Sequence, residues 1–217
     1  DSVKSRGLGD VYKRQLFDLG LDATSIVGRT PWCIHPAEQV SDVPVVGGTK
    51  TPTLSKIKGA QPDLVVMDRD ENPKSVHDWC VANGLPTFVC DVRHPRDVPL
   101  MLRELGQAVN RSEAAEVHAR AIEAMLRRAP DTNGRTALPL IWHRPLMAAN
   151  GTTYAGNMLA CLGFNVPNIE PDGTGYPEVS PEIILQHGVT DVFLSSEPHE
   201  FTDEESGSLS EAFGNLT

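Results

Sequence analysis

Loops that combine aromatic, basic, acidic and thiol side chains follow four segments of this 217-residue chain that are patterned as buried strands. Indole and phenol rings offer a large, rigid contact surface with one polar group, which suits a planar or bulky ligand. Guanidinium groups bind carboxylate or phosphate oxygens, so the arginines are expected either to bind such a ligand or to pair with acidic residues of a neighbouring loop. The candidate ligand-binding residues in these loops are Arg29, Trp32, Cys33, His35, Asp68, Glu71, Asn72, Trp142, Arg144, Met147, Tyr154, Ser195, Ser196 and Glu197.

The sequence contains no convincing set of nucleophile and base. The motifs GxSxG and HExxH are absent, and no histidine is tied by spacing to the Ser195–Glu197 loop. Seven histidines still allow a triad to form in space, so a hydrolase on a doubly wound α/β fold, using His143 or Ser196, is an alternative function. The chain is predicted not to be an enzyme.

The cysteines give no strong metal motif. There is no CxxC pair, and Cys33-x-His35 and Cys90-x-x-x-His94 supply two ligands each. Buried or free thiols are therefore expected, and neither a metal site nor a cofactor is predicted. A zinc carrier that uses His35, His143 and a cysteine stays open as a further alternative.

Helices and apolar strands alternate along the chain. LVVM, at 64–67, is an apolar run without alternation, which is typical of a parallel strand covered on both faces. The segment 180–198 repeats the pattern of 53–70 when Asp191 is aligned with Asp63, which pairs Ile57 with Leu185. The fold class predicted is α/β, with two Rossmann-like lobes.

A long helix is expected between the lobes. Nothing interrupts a helical pattern from Glu113 to Arg128, which would span about 24 Å, and Val117, Ala121, Ile122 and Met125 share one face. Ligands of α/β lobes gather beyond the carboxyl ends of the strands, so we expect a binding cleft between the two lobes. The predicted divisions are a lobe at 16–98, linker helices at 99–130 and a lobe at 131–217.

The ends and the composition add further expectations. Residues 1–15 have no helical or strand periodicity and are interpreted as a non-native linker, which would leave the first lobe without its first strand. The second lobe is interpreted as incomplete. An excess of 29 acidic over 19 basic residues, net charge −10, argues against a nucleic-acid partner. No apolar run approaches the ~20 residues of a membrane-spanning helix.

Four stretches carry a family resemblance. LFDLGLDATSIVGRTPWCIHP, VPVVGGTKTPTLSKIKGAQPDLVVMDRDEN, IWHRPLMAANGTTYAGNMLACLGFNV and YPEVSPEIILQHGVTDVFLSSEP resemble the periplasmic-binding-protein family of cobalamin and ferric-siderophore ABC transporters, the helical-backbone metal receptor group. The resemblance runs from Leu16 to about Phe201. It implies two lobes joined by a single long backbone helix, the class III arrangement, and it adds Tyr176 to the ligand-binding residues.

The resemblance also implies a function. The chain would capture a metal chelate and deliver it to the permease subunits of an ABC importer, with a cobalamin-type corrinoid favoured over a ferric siderophore or haem. One acidic residue per lobe would dock the transporter, and Glu71 and Glu204 are the candidates, although Lys74 occupies the aligned helix start of the first lobe. The protein would be a monomer, periplasmic or lipoprotein-anchored outside the cytoplasmic membrane and peripheral to it.

Overall fold

The computed structural model describes residues 5–7, 10–128, 132, 134–170, 173–196 and 198–214, with side chains from residue 14 onward. The chain forms two compact units. Unit 1 takes in the chain up to Asp91 together with Val98–Ile122, and unit 2 takes in Val92–Asp97 and the chain from Glu123. Each unit has its own sheet with helices around it, which confirms the predicted α/β class.

Unit 1 is built on a parallel four-stranded sheet in the order β2-β1-β3-β4. The strands are β1 (Ser5–Gly7), β2 (Ile26–Gly28), β3 (Leu64–Asp68) and β4 (Thr87–Cys90). The first four residues of β3 are buried, as expected for an apolar strand covered on both faces. The strand-end loops of β2 and β3 therefore project from a rigid core.

The helices of unit 1 pack around this sheet. Ile57, Val65, Met67, Val76 and Cys80 form the core, and Trp79 is partly buried against it. The helices are α1 (Asp10–Asp18), α2 (Ala37–Val40), α3 (Leu54–Gly59), α4 (Lys74–Ala82), α5 (Val98–Ala108) and α6 (Ser112–Leu126), of which α6 continues past Ile122 into the chain of unit 2.

A short strand forms within residues 1–15, in which no strand was expected, whereas the absence of the native first strand from this lobe stays a prediction. Ser5–Gly7 lies between β2 and β3 and pairs in parallel with both. The physical reason is that a sheet pairs through main-chain N–H and C=O groups, which any non-proline segment offers, whatever its side chains. Apolar periodicity was therefore a poor guide to whether this segment would join the sheet. That residues 1–15 are a non-native linker stays a prediction.

Helix α6 confirms the predicted helix but not its predicted apolar face. Val117, Ala121 and Met125 are exposed and Ile122 is half-buried, whereas Ala115 and Ala119 are fully buried. The reason is a close approach to α5, where a Cβ added to Gly106 would overlap the Cβ of Ala115. Helices that approach so closely bury their smallest side chains, so the larger apolar residues are left outside.

The salt bridges of Glu116 link α6 to α5 and make one pH dependence predictable. Nε of Arg103 and Nε of Arg120 each lie 2.6 Å from the Glu116 carboxylate, and hydrogen bonds from Arg103 and then Arg120 lower its pKa to about 2. Because the folded pKa lies below the ordinary value of 4.5, the stabilisation is complete above pH 4.5 and is lost as the pH falls towards 2.

We therefore expect Glu116→Gln to lower the melting temperature at pH 7 and to flatten its fall between pH 5 and pH 3. Thermal unfolding followed by circular dichroism across that range would measure both effects. Glu104→Gln, at an exposed position on α5, is the matched control. If Glu116→Gln had the same dependence of melting temperature on pH as the wild type, these ion pairs would contribute nothing to stability in acid.

Unit 2 is built on a three-stranded sheet in the order β6-β5-β7. Strand β5 (Ala137–Trp142) pairs antiparallel with β6 (Met147–Ala148) and parallel with β7 (Asp191–Leu194). The helices, each with a side-chain N-cap from Thr153, Ser180 or Thr202, are α7 (Tyr154–Cys161), α8 (Pro181–Gln186) and α9 (Asp203–Phe213).

The repeat between the units is offset by one residue from the predicted alignment. Ile57 is fully buried, but its predicted equivalent Leu185 is half exposed and Ile184 is fully buried. Ile57 and Ile184 each lie four residues after the N-cap of their helix, at Thr53 and Ser180. The N-cap therefore gives a better alignment than the shared aspartate, because it fixes which residues of the helix face the sheet. Among the described residues, no helix is both long and apolar enough to cross a membrane.

Candidate functional site

The loop after β2 presents an aromatic side chain on a fixed backbone. Nε of Arg29 donates to the carbonyl of Val43 at 3.0 Å, and Nη1 donates to the carbonyls of Thr30 and Cys33 at 3.3 and 3.2 Å. Trp32 is 60% exposed on this loop. The Arg29 guanidinium thus holds the loop in place through main-chain carbonyls, and the Trp32 indole is exposed to solvent.

The other sequence-predicted residues of this loop divide by burial. Cys33 is buried, whereas His35 is exposed. Ile34 is also 60% exposed and was not among the sequence candidates. Nothing in the sequence marks an isoleucine as a ligand-binding residue, because its side chain has no polar or aromatic group. Only its exposure beside Trp32 in the structure makes it a candidate.

The loop after β3 is organised by its own polar side chains. Oδ1 of Asp68 accepts hydrogen bonds from the main-chain N–H groups of Asp70 and Glu71 at 2.8 and 2.9 Å. Asn72 is buried, its Oδ1 accepts from Asp68 N at 2.8 Å, and its Nδ2 donates to the carbonyl of Thr49 at 2.9 Å. Asp68 and Asn72 therefore position the loop, while Glu71 is exposed on it.

These two loops of unit 1 meet at the segment 47–52. Asn72 bonds to Thr49 in this segment, and Lys50 Nζ donates to the carbonyl of Asp70 at 2.6 Å. A Cβ added to Gly48 would lie 2.9 Å from ring carbons of Trp32, so the indole rests on that glycine. Trp32 and the Asp68–Asn72 loop thus belong to one continuous surface of unit 1.

Unit 2 presents a second aromatic surface. Trp142 is 39% exposed at the end of β5, and its Nε1 donates to the carbonyl of Arg144 at 3.0 Å. Arg144 itself is exposed, and Met147 is half-buried in β6.

Two tyrosines lie on neighbouring loops of unit 2. Tyr154 begins α7 and Tyr176 follows Gly175, and a hydrogen bond of 2.9 Å from Asn150 N to the Gly175 carbonyl joins these loops. Both phenol side chains are partly exposed. Burial raises the pKa of Tyr154 above its ordinary value.

The loop after β7 contains the candidate serines. Ser195 N donates to the Leu140 carbonyl at 3.0 Å, and its buried Oγ has no hydrogen-bond partner in the described structure. Ser196 is exposed, and Glu197 lies outside the described residues. Within the described part of the chain, neither serine hydrogen-bonds to a histidine.

Histidines and a carboxylate come together elsewhere in unit 2. Nδ1 of His143 lies 2.7 Å from Oε1 of Glu205, and Nε2 of His199 lies 3.0 Å from Oε2. Glu205 also completes a capping box with Thr202 at the start of α9. The main-chain N–H of Thr202, with smaller contributions from His199 and His143, lowers the pKa of Glu205 to about 2.

The ligand set considered for a zinc carrier is not brought together within either unit, because His35 lies in unit 1 and His143 in unit 2. Sequence reasoning missed His199 and Glu205 as partners of His143. The capping-box spacing Thr202-x-x-Glu205 was the one readable signal, and it indicates only where Glu205 begins a helix.

None of the four cysteines, all of which lie in the described part of the chain, forms a disulfide. Cys33, Cys80 and Cys90 are buried, whereas Cys161 on α7 is partly exposed. Cys161 lies seven residues after Tyr154, two turns along the same helix face.

The comparisons with known proteins agree with this architecture. A profile described as "Periplasmic binding protein" matches residues 12–209. Among curated proteins, none matches the sequence significantly. The apo haem-binding protein RhuT from Roseiflexus sp. RS-1 is 20% identical, with a TM-score of 0.74 over 89% of this chain and 76% of that chain.

Two Vibrio cholerae proteins have the same fold. The vitamin B12-binding protein BtuF is 14% identical, with a TM-score of 0.79 over 99% of this chain and 84% of its own. The haem-binding protein HutB is 13% identical, with a TM-score of 0.82 over 99% of this chain and 85% of its own. With a matching family profile over most of its length and two α/β units of the expected topology, the chain belongs to the periplasmic binding protein family.

Proposed function

We propose that this chain is the substrate-binding component of an ABC importer and that its cargo is a metal chelate, a cobalamin-type corrinoid ahead of a ferric siderophore or haem. The observation that carries the proposal is the exposed indole of Trp32 on a strand-end loop that the Arg29 guanidinium holds through main-chain carbonyls. A large apolar ring that stays exposed on a rigid loop supports a bulky, partly apolar ligand. The relatives named above include proteins that bind haem and vitamin B12.

The remaining sequence candidates divide by role in this proposal. In unit 2, Trp142, Tyr154 and Tyr176 would contact the cargo through their rings, with Met147, Ser195 and Ser196 as further contacts. In unit 1, Cys33 and His35 of the Trp32 loop would be further contacts. Arg29, Asp68 and Asn72 would act mainly by positioning loops, because their polar atoms bond to neighbouring main chain. Arg144, which is exposed, would supply the positive charge for acidic groups of the chelate.

Delivery would involve the permease and no catalytic step. Glu71, on the loop before α4, and Glu204, in the first turn of α9, are exposed and are proposed to dock the membrane component. This function implies a location outside the cytoplasmic membrane, free in the periplasm or lipid-anchored.

The cargo test uses Trp32→Ala and Trp142→Ala. We expect each substitution to weaken chelate binding about tenfold or more, because each removes a large desolvated contact of a kind that dominates binding energy. Isothermal titration with cobalamin, cobinamide, haem and a ferric-siderophore panel would identify the chelate and measure the loss.

Leu100→Ala, which removes an exposed apolar side chain on α5, is the matched control and should leave affinity unchanged. Circular dichroism would confirm that each variant is folded. Undiminished affinity in the Trp32→Ala/Trp142→Ala double variant would refute the proposed surfaces. A folded wild-type protein that binds no member of the panel would refute the cargo class.

A further inference from the structure

We propose that His143, His199 and Glu205 form a binding site for a divalent transition-metal cation, with Zn²⁺ as the best fit, built entirely within unit 2. One ligand atom from each residue lies within 4.8 Å of the other two. The proposal does not rest on the proposed function, because it is argued from the ligand atoms and their distances and not from the cargo, although His143 lies between Trp142 and Arg144 in the chain.

The distances are close to those that zinc requires. Tetrahedral Zn²⁺ with bonds of about 2.0–2.1 Å holds its ligand atoms about 3.3 Å apart. The two histidine nitrogens now lie 2.7 and 3.0 Å from the Glu205 oxygens, as hydrogen-bonded pairs. Each pair has to open by a few tenths of an ångström, and the three ligand atoms, which lie within 4.8 Å of one another, have to close around the same cation. Each imidazole then binds through the nitrogen that faces Glu205 and carries its proton on the other ring nitrogen.

The donor set selects the class of cation. Two imidazole nitrogens and one carboxylate oxygen suit Zn²⁺ and its neighbours Co²⁺, Ni²⁺ and Cu²⁺, whereas Mg²⁺ and Ca²⁺ prefer oxygen ligands alone. Three protein ligands with a fourth position left to solvent is a common arrangement for zinc.

The surrounding structure holds the ligands in place. The carboxylate of Glu205 is fixed by Thr202 N at 2.9 Å. The His199 ring packs edge-on against the Phe201 ring, with centroids 4.9 Å apart. The His143 ring stacks on the His199 ring, with centroids 6.2 Å apart. Because these contacts restrict the rings and the carboxylate before any cation arrives, little ordering cost remains for binding.

The cluster is also accessible. A polar hollow of about 290 Å³ reaches His143 and Glu205, and Arg144, Thr202, Glu204 and Ser208 complete its lining. The carboxylate of Glu204 favours a cation there and the guanidinium of Arg144 opposes it, so these two formal charges offset each other. The three ligand side chains are between 16% and 26% exposed, which allows exchange with solvent.

The competing explanation is that both histidines serve only as hydrogen-bond partners that stabilise the start of α9. A test on the tag-free, chelator-stripped full chain separates the two. We expect one Zn²⁺ per chain with micromolar affinity or tighter by isothermal titration, and Co²⁺ at the same site should give the visible absorption of a four-coordinate complex. Cu²⁺ should quench the fluorescence of Trp142, whose ring lies 5.4 Å from that of His199.

The informative variants are His143→Asn and His199→Gln, because an amide can still hydrogen-bond to Glu205 but is a poor zinc ligand. Each should weaken Zn²⁺ binding about tenfold or more while the melting temperature of the zinc-free protein is retained. His187→Ala, an exposed histidine whose Nδ1 contacts the Ile183 carbonyl, is the matched control.

Zinc binding that is absent from the wild type, or equal in the wild type and both amide variants, would overturn the proposal. Chelate titrations of the same proteins report the cargo separately. Loss of the cation site with normal chelate binding, or the reverse, therefore shows which of the two proposals has failed.

Discussion

Replacing Gly156 by alanine is expected to destabilise unit 2 by about 3 kcal/mol, because a side chain there collides with main chain rather than with a movable side chain. An added Cβ would overlap the carbonyl oxygen of Asn150 and lie 2.7 Å from its carbonyl carbon and 3.0 Å from Gly151 Cα. No rotamer change relieves such an overlap, so α7 or the loop before it must move.

The loop before α7 has little freedom to move. Asn150 is buried, its Nδ2 donates to the Ile169 carbonyl at 2.8 Å, and its Oδ1 accepts from Thr152 N at 2.9 Å. Thr153 in turn caps α7 by accepting from Gly156 N at 3.0 Å. Relief of the overlap therefore breaks hydrogen bonds that are shielded from water, which adds to the cost.

Denaturant and thermal unfolding of Gly156→Ala against wild type would measure this effect. Gly207→Ala is the matched control, since Gly207 lies inside α9 with nothing within 4 Å of an added Cβ. That substitution should leave stability unchanged or raise it by up to about 1 kcal/mol through helix propensity. Equal unfolding midpoints for Gly156→Ala and wild type would mean that the described packing of α7 is wrong.

Arg135→Met is expected to cost unit 2 about 2–3 kcal/mol, because it leaves a buried carboxylate without its cation. Asp191 is only 3% exposed, and Nε of Arg135 donates to its Oδ2 at 2.9 Å while Nη2 pairs with Oδ1. The guanidinium also lies over the Phe164 ring, 5.8 Å from its centroid. Because Arg135 is half exposed, the expected loss of unfolding free energy is at or just below the smallest loss that is typical of breaking a fully buried ion pair.

A second substitution separates charge from packing. In Arg135→Met/Asp191→Asn the buried charge is gone and the amide can still accept from Thr190 Oγ1, which contacts Asp191 at 2.7 Å. We expect the double variant to regain much of the lost stability, as measured by unfolding midpoints. Arg127→Met, at an exposed position after α6, is the control. A single variant as stable as wild type would contradict an energetic role for this pair.

Much of the fold could be predicted from residue patterns, for physical reasons. The apolar run of β3 predicts a doubly covered parallel strand because no other environment hides both faces of such a strand. The alanines of α6 were misjudged because burial there depends on a glycine of another helix, Gly106. Patterns within one segment carry no information on such close approaches.

The candidate site divides in the same way. Trp32 and Trp142 could be placed at strand ends because chain order alone fixes that position. The contacts of Arg29 with main-chain carbonyls could not be predicted, since carbonyls are present at every residue and leave no mark in the sequence. The cluster of His143, His199 and Glu205 depends on how two separate segments fold back on each other, which spacing does not reveal.

The unequal burial of the four thiols makes the protein convenient for site-specific labelling. A maleimide reagent should modify Cys161 first, since Cys33, Cys80 and Cys90 are shielded from solvent in the folded chain. A dye at Cys161 would sit two helical turns from Tyr154, on the same face of α7. This sequence therefore already contains an attachment point for a fluorescent reporter on α7, with no cysteine to add or remove.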